Sequence, residues 1–247
     1  MHIKKIPFYV DNFRLNGTLH LPRNPGHEAA APVVIGSHGL LSDGNSPKQI
    51  ALAEQLNQRG IAYFRFDHRG RGQSEGCFPM VTTFQGRLND MAAAIETALA
   101  DPGIRKPAGL FGSSMGGAVC LGIAEAFDIK TIVTLAAPVR FSGIQVPPDI
   151  MEDPLFQDMK PSQMAFDISR RIPKIKNLLV FHGDADEVVS FSNAVEIFEN
   201  AASPKRLVRF EGGDHAISRP DYQKQFINDA VEWLAAGLCD EKQSKKS

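Results

Sequence analysis

Residues 110–118 read LFGSSMGGA, with the apolar run AGLF (108–111) leading in and MGGAVCLGIAEAF (115–127), a helix-forming run, leading out. The pattern Gly112, Ser114, Gly116 is short, and a chain with 21 glycines can produce it by chance. Its surroundings give it weight: strand, glycine, serine, glycine, helix. A serine on such a strand-to-helix bend is presented above the sheet, and flanking glycines leave room for the turn and for close packing beneath it. Ser113 then points elsewhere. The backbone N–H of Met115 would lie free at the helix N-terminus, where it can meet an oxyanion. The plain alternative is a glycine-rich helix start without chemistry.

Outward from that bend the chain alternates between strand and helix patterns. HIKKIPFYV (2–10) and FRLNGTLHL (13–21) read as a strand pair joined at Asp11 and Asn12, and NPGHEAAAP (24–32) as a surface connection. VVIG (33–36), IAYFRFD (61–67), TIVTLAA (131–137), LLVF (178–181) and RLVRF (206–210) read as further strands. Helical stripes follow from Pro47 through Gln58 (Ile50, Ala53, Leu56, closed by Gly60), from Leu88 to Leu99, and through Phe226, Ile227, Ala230, Val231 and Leu234. The expected fold class is α/β: a mostly parallel central sheet with helices on both faces. One domain spans 1–239, followed by a polar tail at 240–247. Residues 138–173 break the rhythm and carry Met151, Phe156, Met159, Met164 and Phe166. That segment is expected to form a small cap whose apolar residues make a substrate pocket; an ordinary surface excursion is the alternative.

Bulk properties narrow the function. A net charge of −1 without a basic block argues against a nucleic-acid partner. No apolar run approaches the ~20 residues needed to span a bilayer, and the N-terminus lacks a secretory h-region, so no membrane partner is expected. Cys77, Cys120 and Cys239 show neither metal spacing nor a disulfide framework, which fits a reducing, cytoplasmic location. Cys120 reads as core packing. RGRGQSEG (69–76) is a poor dinucleotide fingerprint and the histidines form no ligand cluster, so neither cofactor nor metal is expected.

A serine hydroxyl needs a base, and His215 sits in EGGDHAIS (211–218), between the last strand and the last helix. The histidine needs an orienting acid. FHGDADEVVS (181–190) offers Asp186, with Asp184 as its rival; either could instead cap the following helix. The second oxyanion donor is expected at the backbone N–H of Leu40, in GSHGLLSDG (36–44), with His38 bracing that loop and Arg69 and Arg71 tying down the edge of the next one.

SHGLLSDG, RFDHRGRGQSEG, GLFGSSMGG, LLVFHGDADEVV and GGDH together resemble the α/β-hydrolase superfamily over nearly the whole chain, and most nearly small bacterial carboxylesterases of the cinnamoyl or feruloyl esterase type. The resemblance implies an α/β-hydrolase fold with a small cap insertion, a triad of Ser114, Asp186 and His215, and oxyanion amides at Leu40 and Met115. It implies a serine carboxylic-ester hydrolase acting on small to medium esters through an acyl-enzyme. A thioesterase or small serine peptidase would use the same groups, and a non-catalytic hydrolase-like binding protein is the reading from another class.

Overall fold

Asp11 and Asn12 adopt φ values of 48° and 66°, the left-handed conformation that a two-residue hairpin turn demands and that these residue types tolerate. They close β1 (His2–Val10) onto β2 (Phe13–Leu21), with Val10 opposite Phe13. This computed structural model describes residues 2–22, 30–145, 152 and 158–239. The remaining strands are β3 (Ala31–Ser37), β4 (Ala62–Phe66), β5 (Ile104–Ser113), β6 (Ile129–Leu135), β7 (Leu178–Gly183) and β8 (Lys205–Phe210). They form one eight-stranded sheet in the order β1-β2-β4-β3-β5-β6-β7-β8, with β1, β2 and the β2–β4 edge antiparallel and the rest parallel.

The central strands are apolar on both sides because helices cover both. Alternate residues divide between two cores. Ile35, Leu110, Ile132 and Val180 face one, with α3 (Phe84–Ala100), α4 (Met115–Ile123) and α5 (Ser192–Asn200). Val34, Phe111, Val133 and Phe181 face the other, with α1 (Pro47–Gln58) and α6 (Pro220–Cys239). Cys120 is fully buried in the first core. The helix expected from the Leu88–Leu99 stripe begins earlier, at Phe84, because the Thr83 hydroxyl accepts from the Gly86 N–H at 2.8 Å and caps it. The four-residue α2 (Phe78–Val81) had no periodic signature to betray it. Among the described residues no helix is long and apolar enough to cross a membrane.

The segment 138–173 contributes short 3-10 turns at Phe141–Gly143, Pro161–Met164 and Ile172–Lys174. It is stitched to the domain at its start, where Ile144 bridges Val189, and Arg140 bridges Asp167 within it. Its later half returns to the core: Met164, Ile168 and Ile172 are buried there. Met151 and Phe156 lie outside the described residues.

Candidate active site

Ser114 ends the β5 edge of the bend with φ 51° and ψ −125°, a conformation that costs a non-glycine residue about 1–3 kcal/mol and persists only where its surroundings enforce it. Its N–H donates to Leu135 O at 2.7 Å, and its carbonyl accepts from Gly117 at 2.8 Å to start α4. The glycines are required by contact rather than by flexibility. A Cβ on Gly112 would lie 2.3 Å from Gly116 O, and one on Gly116 would lie 2.2 Å from Ser37 O. The bend is therefore wedged between its own next turn and the end of β3.

The loop after β8 brings His215 over Ser114, with Nε2 3.1 Å from Oγ. The loop after β7 brings up Asp186, whose two carboxylate oxygens lie 3.0 and 2.8 Å from His215 Nδ1. The Asp186 side chain is fully buried, whereas that of His215 is about one-fifth exposed (21%). The Nδ1 proton therefore belongs on the acid side, leaving Nε2 to accept from the serine hydroxyl. Burial alone would raise the Asp186 carboxyl, but hydrogen bonds from His182, His215 and the Val189 N–H outweigh it and hold the group well below the usual carboxylate range. His182, which no sequence pattern singles out, places Nε2 3.0 Å from Asp186 and 2.7 Å from Val189 O, so that nitrogen carries the proton. Asp184 turns the other way. It accepts from Arg209 Nε at 2.6 Å and the Gly212 N–H at 2.6 Å, which anchors the histidine loop from outside.

The loop after β3 is held by its carbonyls. His38 Nε2 accepts from the His68 N–H at 3.0 Å, so Nδ1 is the protonated nitrogen and donates to Gly39 O at 2.7 Å. Arg87 from α3 donates to His38 O at 3.2 Å and Leu40 O at 3.0 Å; Arg71 donates to Leu41 O and, at 3.1 Å, to Ser42 O. Five successive carbonyls are thus pulled toward side chains. The Leu40 N–H shares its trans peptide with Gly39 O and points the opposite way. A Cβ at Gly39 would stand 3.5 Å from Ser114 Cβ, so this loop abuts the serine. Neither the Leu40 nor the Met115 N–H has a protein acceptor among the described residues. His38 braces the loop, as its sequence position suggested, and burial together with the neighbouring His68 and Arg87 keeps it neutral.

Beneath the loop lies a second serine–histidine–aspartate chain: Ser37 Oγ to His68 Nε2 at 2.9 Å and His68 Nδ1 to Asp90 at 3.2 Å. All three residues are fully buried, so no substrate reaches them. Asp90 also takes Arg69 through Nε at 2.8 Å and Nη2 at 2.6 Å, which is how Arg69 ties down its loop. Burial and Arg87 push His68 down to about 4.

A cavity of about 390 Å³ opens over Ser114 and His215. Leu40, Leu41, Met115, Leu135, Ile144 and Val188 supply its apolar wall, and Ser42, Ser46, Lys48 and Gln223 its polar side. Here the expected pocket needs correction. Met159, Met164 and Phe166 are not among the described lining residues. Met164 is wholly buried in the core, Met159 packs against that core, and Phe166 stacks on Phe84 with ring centroids 4.1 Å apart. Their apolar surface is satisfied by the α3–α4 side of the sheet. Of the segment 138–173, the described residue that reaches the cavity is Ile144.

The family described as serine aminopeptidase, S33, matches residues 28–161. The chain belongs to that family. It is an α/β hydrolase, and the bacterial esterases that its motifs resemble share its fold. Est1E from Butyrivibrio proteoclasticus, solved with ferulic acid bound, superposes with a TM-score of 0.78 at 21% identity, covering 94% of this chain and 98% of Est1E. The esterase domain of a Rhodothermus marinus protein superposes at 0.70 with 23% identity, covering 96% and 99%. In sequence, YfhR of Escherichia coli O157:H7, named as an uncharacterised protein, is 27% identical over 225 residues, covering 88% of this hydrolase and 76% of YfhR.

Proposed function

We propose that this hydrolase is a serine carboxylic-ester hydrolase that works through an acyl-enzyme, with Ser114 as nucleophile, His215 as general base and then acid, and Asp186 as the orienting carboxylate. The observation that carries the reading is the continuous line from buried Asp186 through His215 Nδ1 and Nε2 to Ser114 Oγ, at 2.8 and 3.1 Å, on the floor of a cavity. His215 takes the hydroxyl proton as Oγ attacks the ester carbonyl. The oxyanion is received by the N–H groups of Leu40 and Met115. His215 then protonates the departing alcohol, and the same nitrogen activates water to cleave the acyl-enzyme. The cavity volume, about 390 Å³, falls in the ~300–1,000 Å³ range of small-ligand sites and suits small to medium esters. The single domain with a cap segment at 138–173, and a cytoplasmic location, belong to the same reading.

The family's description makes aminopeptidase activity the second reading. An aminopeptidase must receive a substrate ammonium group. The described cavity wall instead carries a lysine and no carboxylate, and that favours esters. A fluorophosphonate should label the folded protein, with the adduct mapped to Ser114 and lost in Ser114→Ala but not in Ser113→Ala. A panel of oxygen esters, thioesters and aminoacyl amides should then give its highest kcat/KM with an oxygen ester. An adduct that persists in Ser114→Ala and maps to Ser113 would overturn the assignment. So would a folded wild type that no serine-directed probe labels, which is the outcome a binding protein requires.

A further inference from the structure

The polar side of the cavity holds a charge that the esterase chemistry does not use. Lys48 lies in the first turn of α1 and lines the same cavity as Ser114 and His215. It is half-buried, and its ammonium group has no hydrogen bond or ion pair among the described residues. The carboxylate whose field reaches it, Asp214, is beyond ion-pair distance and is occupied by the Ser218 N–H and hydroxyl, at 2.6 and 2.5 Å. Three circumstances disfavour an ammonium group here. The first turn of a helix is its positive end. The cavity Lys48 lines is largely apolar, with Leu40, Leu41 and Val188. Burial also withdraws the group from water, lowering its proton affinity. On the lining of the same cavity, the Ser46 side chain forms no cap to α1 and the Ser42 hydroxyl has only a 3.4 Å contact with Asp43 O, so hydroxyl donors share the cavity with the cation.

We propose that Lys48, with Ser42 and Ser46, receives a carboxylate of the substrate, so that the cavity selects esters carrying a second, ionised carboxyl group a few carbons from the scissile carbonyl. Half-esters of dicarboxylic acids carry that charge on the acyl side, and esters of hydroxy acids carry it on the alcohol side. The inference rests on the esterase reading and adds a substrate class to it.

The test is a pH-stat measurement of kcat/KM on two matched pairs: monoethyl adipate against ethyl hexanoate, and 4-acetoxybutanoate against butyl acetate. In wild type the anionic member of one pair should be favoured, and the favoured pair identifies the side on which the charge lies. Lys48→Met and Lys48→Gln, checked for folding by circular dichroism, should lower that anionic-to-neutral ratio about 10- to 100-fold, the worth of a charge-assisted contact. Lys48→Arg should restore most of it, and raised salt should shrink it in wild type. A ratio equal in wild type and both neutral variants, or a wild type that favours the neutral ester in both pairs, overturns the role of Lys48 while leaving ester hydrolysis standing. A wild type that cleaves none of the four and takes no fluorophosphonate overturns both readings together.

Discussion

Replacing Arg87 with methionine should separate stability from catalysis. The guanidinium is buried in α3 and spends its donors on His38 O and Leu40 O. Two bonds from a charged donor contribute about 1.5–3 kcal/mol each, so roughly 3–6 kcal/mol in all. Against this, burial pulls the group down to about 9, a penalty of the same order, a few kcal/mol. Arg87 Nε is also buried without a partner, a further cost that methionine removes. The opposing effects nearly cancel, so the variant should unfold within about 2 kcal/mol of wild type, a Tm change of about 4–8 °C or less for a chain of this length. Activity has no such compensation. Arg87 holds the carbonyls on either side of the Gly39–Leu40 peptide, His38 O and Leu40 O; without the fork that peptide, which carries the Leu40 N–H, loses its fixed orientation, and loss of one oxyanion donor costs about 10²–10³ in turnover. Arg87→Lys, which can reach one carbonyl at a time, should fall between the two. The assays are thermal unfolding and kcat on a short activated ester. A folded Arg87→Met that keeps kcat within about threefold of wild type would show that the loop is set without the arginine. A loss of stability clearly above about 2 kcal/mol would refute the cancellation.

Asp186→Asn should cost several powers of ten in kcat by losing the tautomer of His215, as in the well-studied serine proteases, whereas Asp184→Asn should mainly loosen the Gly212 loop; equal kcat in the two variants would remove Asp186 from its role. The folded-state carboxyl of Asp186 is lowered, so the stability it contributes is complete above the unfolded value near 3.9 and is lost as pH falls below it. Asp186→Asn should therefore flatten the stability curve below about pH 4, and an unchanged acid limb in urea titrations would contradict this. Phe166→Ala should cost about 2–3 kcal/mol of stability without moving the acyl-length preference, whereas Ile144→Ala should move the preference; a graded ester series reads both, and the reverse pattern would restore Phe166 to the pocket wall.

The sheet and its helices were legible because burial on two faces forces runs such as VVIG and TIVTLAA, and because Pro47 and Gly60 punctuate α1. The serine, the acid and the histidine were legible from their places after strands, since parallel strands deliver their following loops to one edge. The support beneath them was hidden. Arg87 sits on α3 beside the apolar stripe, where a sequence suggests a solvated face; only the fold shows that the β3 loop covers it. His182 and Asp90 are likewise ordinary in sequence and acquire meaning through partners in other elements. The apolar residues of 138–173 misled for a related reason. Met164 and Phe166 looked unsatisfied because their partners, such as Phe84, are some 80 residues away in the chain.

The bond between Ser114 and His215 spans 101 residues, and this has a consequence for the order in which the protein matures. The bend at Ser114 is complete once β5, α4 and the flanking β3 and β6 have assembled, but His215, its proposed base, arrives with the loop after β8, an edge strand of the sheet. A chain emerging from the ribosome folds its N-terminal portion first, so it carries a shaped yet inert serine until the last strand docks. On the proposed mechanism, ester cleavage is thus acquired late in synthesis and assembly. A nascent chain stalled before residue 215 should stay chemically silent, and reactivity toward a serine-directed probe should switch on once β8 has docked and the loop after it brings His215 over Ser114.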